Sequence, residues 1–457
     1  MSLRHSMFRN ITRADIRFFT GLLVVHTIFF IIALYYKRIY NGDSHEYVYM
    51  ALNIRDHFDF YAGSPAMPRV EEYMTLRTPL YSMLMALVYV FSVNNWVILL
   101  LQNFVSIFNI YYMRDTIRKI GYSRMYDWVL IAFVMINPAQ FIHTNTIAPD
   151  ILLQTVVLVY FRHFILLVRR KEWRQGVWMS AALIVGMMLK PVLYPFAYIH
   201  IFVLLGMAGY VNRGLMKPFI AGILPIFMVF IYSFWNYSRT GTAHFSSNQS
   251  LNAVSYYYYY FAQKEGLPKA KAFLEEERAK MNSHEAFADR YKYANKRGVE
   301  LLKENFWPYM TYHVQRSLRM FIDPGKGDFD MFTNRATLGG LYSGVQGAGF
   351  YATIKADGFD GFEHYMERNP TVFLAFIVLL FNAFKMIGLF LYLFHKKTNK
   401  YIKLLVVLLL GYFAITTGPI ANTRYFMPIS LIVIGCATVG FKHYLHWRKY
   451  KVIITGS

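Results

Sequence analysis

Two carboxylates and an imidazole lie close together in a hydrophilic segment after the first apolar stretch: Asp43, His45 and Glu46, followed by Tyr47. A carboxylate at such a place can take the proton of a hydroxyl group during group transfer. Asp43 and Glu46 are therefore candidate catalytic residues, and His45 and Tyr47 are candidate residues of a substrate groove. The alternative is that Asp43 only caps the helix that follows, because Asp is common at N-cap positions.

Three cations could bind a phosphate group, and each stands at one end of an apolar stretch. Arg77 precedes one stretch, in the sequence Arg-Thr-Pro-Leu-Tyr that ends at Tyr81, Lys190 closes another, and Arg424 with Tyr425 precedes a third. An arginine offers a planar fork of donors that matches phosphate oxygens. The alternative is an anchoring role, in which the long side chain carries its charge to the membrane surface.

Two further patterns also allow a functional and a structural interpretation. Asp150 is the acidic residue of a short turn between two apolar stretches. It is a candidate catalytic residue or the N-terminal cap of the next helix. The run Tyr256–Tyr260 could stack on sugars, but an interfacial aromatic belt is the interpretation that its composition favours.

The composition indicates what kind of molecule positions these residues. Of 457 residues, 56% are hydrophobic and 16% are charged, whereas soluble domains average about 25% charged. This excludes intrinsic disorder and argues against a soluble enzyme. The single cysteine, Cys436, allows no disulfide framework, and no metal-spaced Cys/His cluster or phosphate-binding glycine loop is present. We therefore expect no metal and no cofactor.

The net charge of +22 raises the question of nucleic-acid binding. A nucleic-acid-binding protein concentrates its Lys and Arg residues on one folded face. Here they form short clusters between apolar stretches, which is typical of cytoplasmic loops of membrane proteins. A nucleic-acid partner is therefore not expected, and membrane lipids are.

Ten apolar segments approach the roughly 17 to 25 residues of helix that cross a bilayer. They are Phe18–Tyr36, Asn95–Met113, Tyr126–Ile142, Ile151–Val168, Val177–Leu189, Tyr194–Tyr210, Pro218–Tyr237, Thr371–Phe394, Ile402–Thr417 and Met427–Phe441. The segment Pro79–Val93 is predicted to be half-embedded or interfacial. The predicted fold class is thus an all-α polytopic membrane protein.

The basic clusters predict the orientation. They lie around residues 4–17, 114–124, 169–174, 213–217, 396–403 and 442–451. All of them fall on the cytoplasmic side only if both termini are cytoplasmic and Pro79–Val93 does not cross. All six candidate charged residues then lie at the outer ends of helices.

Two long segments are predicted outside. The first, residues 37–78, contains an amphipathic stretch, Glu46–Phe58, that suits a helix on the membrane surface. The second, residues 238–370, contains two helix-like stretches, Pro268–Met281 and His284–Asn305, and a glycine-rich part, Gly325–Gly361. The chain divides accordingly into an N-terminal transmembrane module (1–237), an outer loop region (238–370) and C-terminal transmembrane helices (371–457).

The order of these features resembles the GT-C glycosyltransferases, within them the bacterial branch related to protein O-mannosyltransferases and the lipid A aminoarabinose transferase. The residues that carry the resemblance are Asp43, Tyr47–Asn53, Arg77–Tyr81, Asp150, Lys190-Pro191 and Arg424–Pro428. Many relatives have Asp-Glu where this chain has Asp43-Ser44. The resemblance covers residues 1 to about 240 and, loosely, the last two spans.

The resemblance implies a GT-C-like bundle of about ten transmembrane helices with interfacial helices and a long outer loop. It also implies an inverting transfer of a sugar from a polyprenyl-phosphate donor to a lipid, glycan or protein acceptor. In that reaction Asp43 would be the base, with Asp150 and Glu46 as further catalytic candidates, while Arg77, Lys190 and Arg424 would bind the donor phosphate. The implied location is a bacterial inner membrane, with the site facing the periplasm or the cell exterior.

Two other classes of protein remain possible from the sequence. A transporter or lipid flippase is one alternative, but such proteins often show repeated halves and midplane ionisable residues. No repeated halves are visible here. A polysaccharide polymerase or ligase is the other alternative, and it differs mainly in donor and acceptor.

Overall fold

The structure is a computed structural model that describes residues 12–211, 214–335, 358, 360, 363, 366, 367, 369, 371–420 and 422–455. Over these residues the regular structure is helical, and no strand occurs. The predicted all-α class is therefore confirmed. Most of the predicted glycine-rich part, Gly325–Gly361, and the arginines before residue 12 lie outside the described residues.

The helices are numbered here in chain order. They are α1 (Arg13–Tyr36), α2 (Ser44–His57), α3 (Glu72–Thr75), α4 (Pro79–Tyr89), α5 (Asn95–Arg118), α6 (Asp127–Met135), α7 (Pro138–Thr144), α8 (Asp150–Arg170), α9 (Arg174–Leu189), α10 (Phe196–Ala208), α11 (Met216–Thr240), α12 (Asn248–Lys264), α13 (Leu267–Asn282), α14 (Phe287–Glu304), α15 (Phe306–Arg319), α16 (Lys326–Phe332), α17 (Thr371–Phe394), α18 (Lys400–Thr417) and α19 (Thr423–Thr455).

Seven of the described helices are long and apolar enough to cross a membrane: α1, α5, α8, α11, α17, α18 and α19. Helices α6 and α7 pass the same test only as a pair, bent by 60°, which fits a broken span or a re-entrant loop; the bend lies where Pro138 begins α7. Proline interrupts a helix because it lacks the N–H group. The chain is thus a multi-pass membrane protein, as predicted.

Two of the ten predicted spans, α9 and α10, are shorter, at 16 and 13 residues. Contacts with α8 show how far they reach. Lys190, just after α9, bonds to Asp150 at the first residue of α8. Tyr210, just after α10, donates a hydrogen bond to the carbonyl of Val168, near the last residue of α8. Each short helix, together with its flanking residues, therefore extends from one end of α8 to the other.

The basic clusters lie together at one end of the helix bundle. Arg114, at the end of α5, has 1% of its side chain exposed and contacts Asp15 of α1 and Asp127 of α6. Arg169 of α8 donates to the carbonyl of Lys119 at 2.7 Å. The starts of α1 and α6 and the ends of α5 and α8 thus meet at this basic end, where the charge pattern predicted the cytoplasmic side.

Helix α4 corresponds to the segment Pro79–Val93, which was predicted to be half-embedded or interfacial, and its length fits that prediction. Helix α4 has 11 residues, so it extends about 16 Å, roughly half the hydrocarbon thickness. It packs against α2, where Ser82 donates to the carbonyl of Tyr47 at 3.0 Å. Helix α2 buries Tyr47, Met50 and Ala51 of the predicted amphipathic stripe, and Ile54 is half-buried. Phe58, the last predicted stripe residue, lies after the helix end and is exposed.

The second outer region has a small core of its own, separate from the membrane core. Both predicted helix-like stretches are present, as α13 and α14. The core consists of the buried residues Val254, Tyr257, Tyr260, Ala294, Leu301, Tyr309 and Tyr312. Two residues of the Tyr256–Tyr260 run therefore pack inside this region, because tyrosine rings supply its apolar area.

Candidate active site

Six charged side chains meet at the end of the bundle opposite the basic end. They form one chain of alternating charge: Glu46, Arg77, Asp43, Arg424, Asp150 and Lys190. They come from helix ends or from residues next to them, on α2, α4, α8, α9 and α19. The structure therefore brings together all the predicted catalytic and phosphate-binding residues.

Arg424 is the centre of this chain. Its two terminal nitrogens each lie 2.8 Å from an oxygen of Asp43, and its Nε donates to Asp150 Oδ2 at 2.9 Å. The guanidinium fork thus holds a carboxylate on two sides. Only 14% of the Arg424 side chain is exposed.

Arg77 joins Asp43 to Glu46. Its Nε donates to Glu46 Oε2, and its Nη1 lies 3.7 Å from Asp43 Oδ2. The Arg77 guanidinium also stands over the ring of Tyr47, at 5.5 Å from the centroid. Arg77 is therefore fixed from three sides and is not an extended anchoring residue.

Lys190 ends the chain on the other side. Its Nζ donates to Asp150 Oδ1 at 2.7 Å and lies 5.2 Å from the ring centroid of Tyr425. Lys190 closes α9 where Pro191 follows, and proline forces the residue before it out of the helical conformation. The lysine side chain thus points into the site and not along the helix.

The capping interpretation fails for both aspartates. Asp43 holds the N-cap position of α2, but its carboxylate makes no hydrogen bond to that helix. Asp150 is the first residue of α8, and its two oxygens accept from Lys190 and Arg424. Both carboxylates are committed to cations.

The cations change the acid strength of Asp43. Burial alone would raise the pKa of this carboxyl, but Arg424, Arg77 and Lys190 together hold its pKa well below the ordinary value. For Glu46 burial outweighs the attraction of Arg77, and its pKa is raised. Asp43 is therefore firmly ionised, whereas Glu46 binds a proton more readily.

A cavity of about 350 Å³ opens onto this cluster. Asp43, Arg77, Lys190 and Tyr425 line it on one side, and polar residues of α12 line it on the other. This volume lies in the range of small-ligand sites. Asp150 does not line the cavity and is 1% exposed, so it supports Lys190 and Arg424 from behind.

The other predicted groove residues take different positions. Tyr47 and Tyr81 are buried, with ring centroids 5.2 Å apart, and Tyr81 donates to Gln102 at 2.7 Å. Both form the packed support under Arg77. His45 is exposed and stacks on Tyr40, with centroids 4.7 Å apart, so it faces away from the charged chain.

The sequence interpretation missed a fourth carboxylate. Asp328 of α16 accepts a hydrogen bond from Thr423 and lies 3.5 Å from His143 Nε2. Burial alone would raise its pKa, but His143, Thr423 and Arg424 lower it. Asp328 thus stands beside the cluster, in a region without a recognisable motif.

The sequence also gave no sign of how Arg77 is held in place. His244 Nε2 lies 2.8 Å from Thr75 Oγ1, and Ser246 and Ser247 bond to the carbonyls of Leu76 and Glu72. These contacts join the start of the second outer region to the segment before Arg77. No local pattern encodes them.

No family profile and no curated protein matches the chain. Two solved structures match over most of it. The oligosaccharyltransferase of Archaeoglobus fulgidus, in the apo form, has 14% identity and a TM-score of 0.44 over 95% of this chain and 52% of its own. ArnT from Cupriavidus metallidurans, bound to undecaprenyl phosphate, has 11% identity and a TM-score of 0.38 over 92% of this chain and 77% of its own. This chain thus spans about half the length of the archaeal protein.

Proposed function

We propose that this protein is an inverting glycosyltransferase that moves a sugar from a polyprenyl-phosphate donor to an acceptor at the outer face of the membrane. The observation that carries the proposal is the convergence of Arg77, Lys190 and Arg424 with Asp43 at one end of a membrane bundle, beside a cavity. A lipid-linked phosphate donor must meet its enzyme at such a place, where the hydrocarbon ends and polar groups begin.

The three cations suit the leaving group. When the bond between the anomeric carbon and the phosphate oxygen breaks, the departing polyprenyl phosphate gains negative charge. Fixed cations in a site of low exposure stabilise such charge better than water does. Arg77 and Lys190 line the cavity, and Arg424 lies directly behind Asp43. These residues can neutralise a phosphate monoester themselves.

Asp43 suits the acceptor side of the reaction. The acceptor hydroxyl gives its proton to Asp43, its oxygen attacks the anomeric carbon from the face opposite the phosphate, and the sugar is transferred with inversion. Asp43 is ionised in the resting site because the cations lower its pKa, so it is always in the proton-accepting form. A phosphate that takes over part of the attraction of Arg77 and Lys190 would make Asp43 more basic when the donor is bound.

The location follows from the two ends of the bundle. The basic end, around Arg114 and Arg169, corresponds to the cytoplasm by the positive-inside pattern. The charged chain lies at the opposite end. We therefore assign the site to the periplasmic or external face of a bacterial inner membrane.

The experiment is a binding and transfer assay with the purified chain in lipid nanodiscs. Undecaprenyl phosphate, the expected product, is titrated first because it does not require the sugar to be known. Arg77→Ala and Lys190→Ala should each weaken binding about tenfold or more, since a charge-assisted hydrogen bond contributes roughly 1.5–3 kcal/mol. Arg77→Lys should restore it only in part, because lysine lacks the planar fork.

The matched control is Arg69→Ala. Arg69 belongs to the same outer loop, but 57% of its side chain is exposed and it pairs with Asp59. Equal binding by wild type, Arg77→Ala and Lys190→Ala would reject the donor-phosphate assignment. Movement of the lipid across the bilayer without sugar transfer, in a complete assay with a polyprenyl-phosphate sugar, would favour a flippase instead.

A further inference from the structure

A second, larger cavity of about 690 Å³ is lined by Asp328 and Asn422, next to Thr423 and the charged chain. Helix α12 separates the two cavities: Tyr256 faces the one beside Lys190, whereas Tyr258 and Tyr259 line the larger one. The remaining walls come mainly from α15, α16, the loop between them and the turn before α19. Apart from that turn, which joins the last two spans, these walls lie outside the part of the chain that carries the family resemblance.

Most charged groups of this cavity are already committed to partners. Lys326 pairs with Asp330, which also accepts from Thr371. Asp328 accepts from Thr423, and Asp323 accepts from the backbone N–H of Gly325 at 2.9 Å.

Two cations remain. Arg316 and Arg319, one turn apart on α15, line the cavity and form no ion pair with any residue that the structure describes, although the Arg316 guanidinium lies over the ring of Tyr312, 5.8 Å from its centroid. Asp323 lines the same cavity, and its carboxyl feels the charge of both arginines without forming an ion pair with either. Two guanidinium forks in a cavity suit an anionic group such as a phosphate or a carboxylate.

The same cavity offers aromatic surface. Tyr258 and Tyr259 are half-buried, and their ring centroids lie 5.3 Å apart at an interplanar angle of 77°. Tyrosines present an apolar face with a polar tip, which suits the apolar faces and hydroxyl groups of a saccharide. Their neighbours Tyr257 and Tyr260 are buried in the small core, against which Tyr259 also packs.

The cavity reaches the proposed reaction centre. Asp328 and Asn422 line it. Thr423, which follows Asn422, bonds to Asp328, and the next residue is Arg424, which holds Asp43. The two cavities thus both border the start of α19, the larger at Asn422 and the smaller at Tyr425, and Asp43 lines the smaller one.

We propose that this larger cavity is the acceptor site and that the acceptor is an anionic saccharide, whose phosphate or carboxylate group is held by Arg316 and Arg319 and whose rings lie against Tyr258 and Tyr259. This inference rests on the proposed function, because it assigns the partner of the same transfer. The anionic saccharide can be free or linked to a lipid, and the test separates these sources.

The experiment measures binding of glucose 1-phosphate, glucose and inorganic phosphate to the full chain in nanodiscs by saturation-transfer NMR. Glucose 1-phosphate should bind more tightly than either of the other two. The double variant Arg316→Gln/Arg319→Gln should weaken its binding about tenfold or more, as expected for the loss of charge-assisted hydrogen bonds. Glutamine keeps polar length, so the helix α15 should persist, and circular dichroism checks this.

Arg278→Ala is the matched control, because Arg278 is an exposed arginine of the same outer region that does not line the cavity. Phosphatidylinositol in the nanodisc serves as the lipid-linked competitor of glucose 1-phosphate. If it displaces glucose 1-phosphate, the acceptor is lipid-linked, and if it does not, the acceptor is free; both results support the site. Equal affinity of wild type and double variant for glucose 1-phosphate would overturn the proposal.

A second result would also overturn it: loss of undecaprenyl phosphate binding in the Arg316→Gln/Arg319→Gln variant, since these arginines would then serve the donor. The proposed function itself would fail on a different result, namely that Arg77→Ala and Lys190→Ala bind undecaprenyl phosphate as tightly as the wild type does. The two failures are therefore distinguishable.

Discussion

Every cation of the charged chain already has a carboxylate partner. Arg77 contacts Glu46 and Asp43, and Lys190 contacts Asp150. Buried ion pairs of this kind are costly to break by removing one member, because the remaining charge is left without compensation. An incoming phosphate avoids that cost by offering negative charge of its own. When the donor binds, its phosphate takes over part of the ion pairing that the carboxylates provide to these cations in the donor-free protein.

The two aspartates should respond differently to loss of charge. Asp43→Asn should lower sugar transfer about 10²- to 10⁴-fold, the usual contribution of a general base, in addition to the stability that is lost when its buried pair with Arg424 is broken. Asp150→Asn should likewise destabilise the protein, by about 3–5 kcal/mol, as expected when a buried ion pair loses one partner, but it should not remove the proton acceptor. Transfer rate and thermal unfolding of both variants check this contrast. Turnover near wild type in Asp43→Asn would make Glu46 the better candidate for the base.

The pH dependence distinguishes Asp43 from Glu46. The pKa of Asp43 is lowered from 3.8, so this carboxylate stays ionised at all pH values above its ordinary range. If Asp43 is the base, kcat/KM for the donor should show no acid-side decline between about pH 8 and pH 5, since this parameter reports groups of the free enzyme. If Glu46 is the base, kcat/KM should decline on the acid side at a higher pH than an ordinary carboxyl would cause, because burial raises the pKa of Glu46. We expect the flat profile.

The site is assembled from the ends of helices. Asp43 and Asp150 lie at helix starts, Lys190 at a helix end that a proline fixes, and Arg424 in the first turn of α19. Helix ends leave backbone groups unpaired and side chains free to turn away from the helix surface. Arg77 is the exception, because it precedes α4 in a loop, and it needs support from outside its own segment.

His244 should be the residue that supplies this support. It is 4% exposed and contacts Thr75, two residues before Arg77. His244→Ala should weaken undecaprenyl phosphate binding several-fold by letting Arg77 move, although His244 itself does not line the donor cavity. Thr75→Val should do the same, and the double variant should be no worse than either, with a coupling of about 1 kcal/mol. Strictly additive effects would show that the two residues act separately.

At the scale of the whole molecule, the two ends of the bundle have distinct chemistry. The basic end holds unbalanced lysines and arginines in loops, whereas the site end holds three cations matched by three carboxylates. The positive-inside rule counts Lys and Arg in short loops and gives carboxylates little weight, so the more numerous Lys and Arg residues of the basic end outweigh the three cations of the site end. The rule therefore predicts that the basic end is cytoplasmic and that the site lies on the opposite face.

Cysteine labelling tests this sidedness. On a Cys436→Ala background, a cysteine at Lys292 should react with an impermeant maleimide in intact cells, and a cysteine at Arg174 should react only after permeabilisation. Both positions are well exposed, with 75% and 70% of their side chains accessible, and the natural cysteine is buried. Reaction of both positions from the same side would contradict the topology.

The sequence alone determined the helices and the candidate residues. Apolar runs and helical periodicity are local properties of the sequence. They were therefore sufficient to predict the long apolar helices α1, α5, α8, α11 and α17 to α19 and the amphipathic helix α2. The sizes of α9 and α10 and the bend between α6 and α7 were less readable, since a composition pattern does not report where a helix breaks within an apolar run. The candidate cations and carboxylates stood out because charge is rare at helix ends near a membrane.

Only the tertiary structure decided which of these residues meet. Asp43 and Arg424 lie 381 positions apart in the chain, and no local pattern relates residues at such a distance. The same holds for Asp328 beside Thr423, for His244 beside Thr75, and for the tyrosines, whose spacing alone did not separate core from cavity wall. Local preference fixes each helix by itself, whereas the packing of many helices fixes how their ends combine, and the site exists only in that combination.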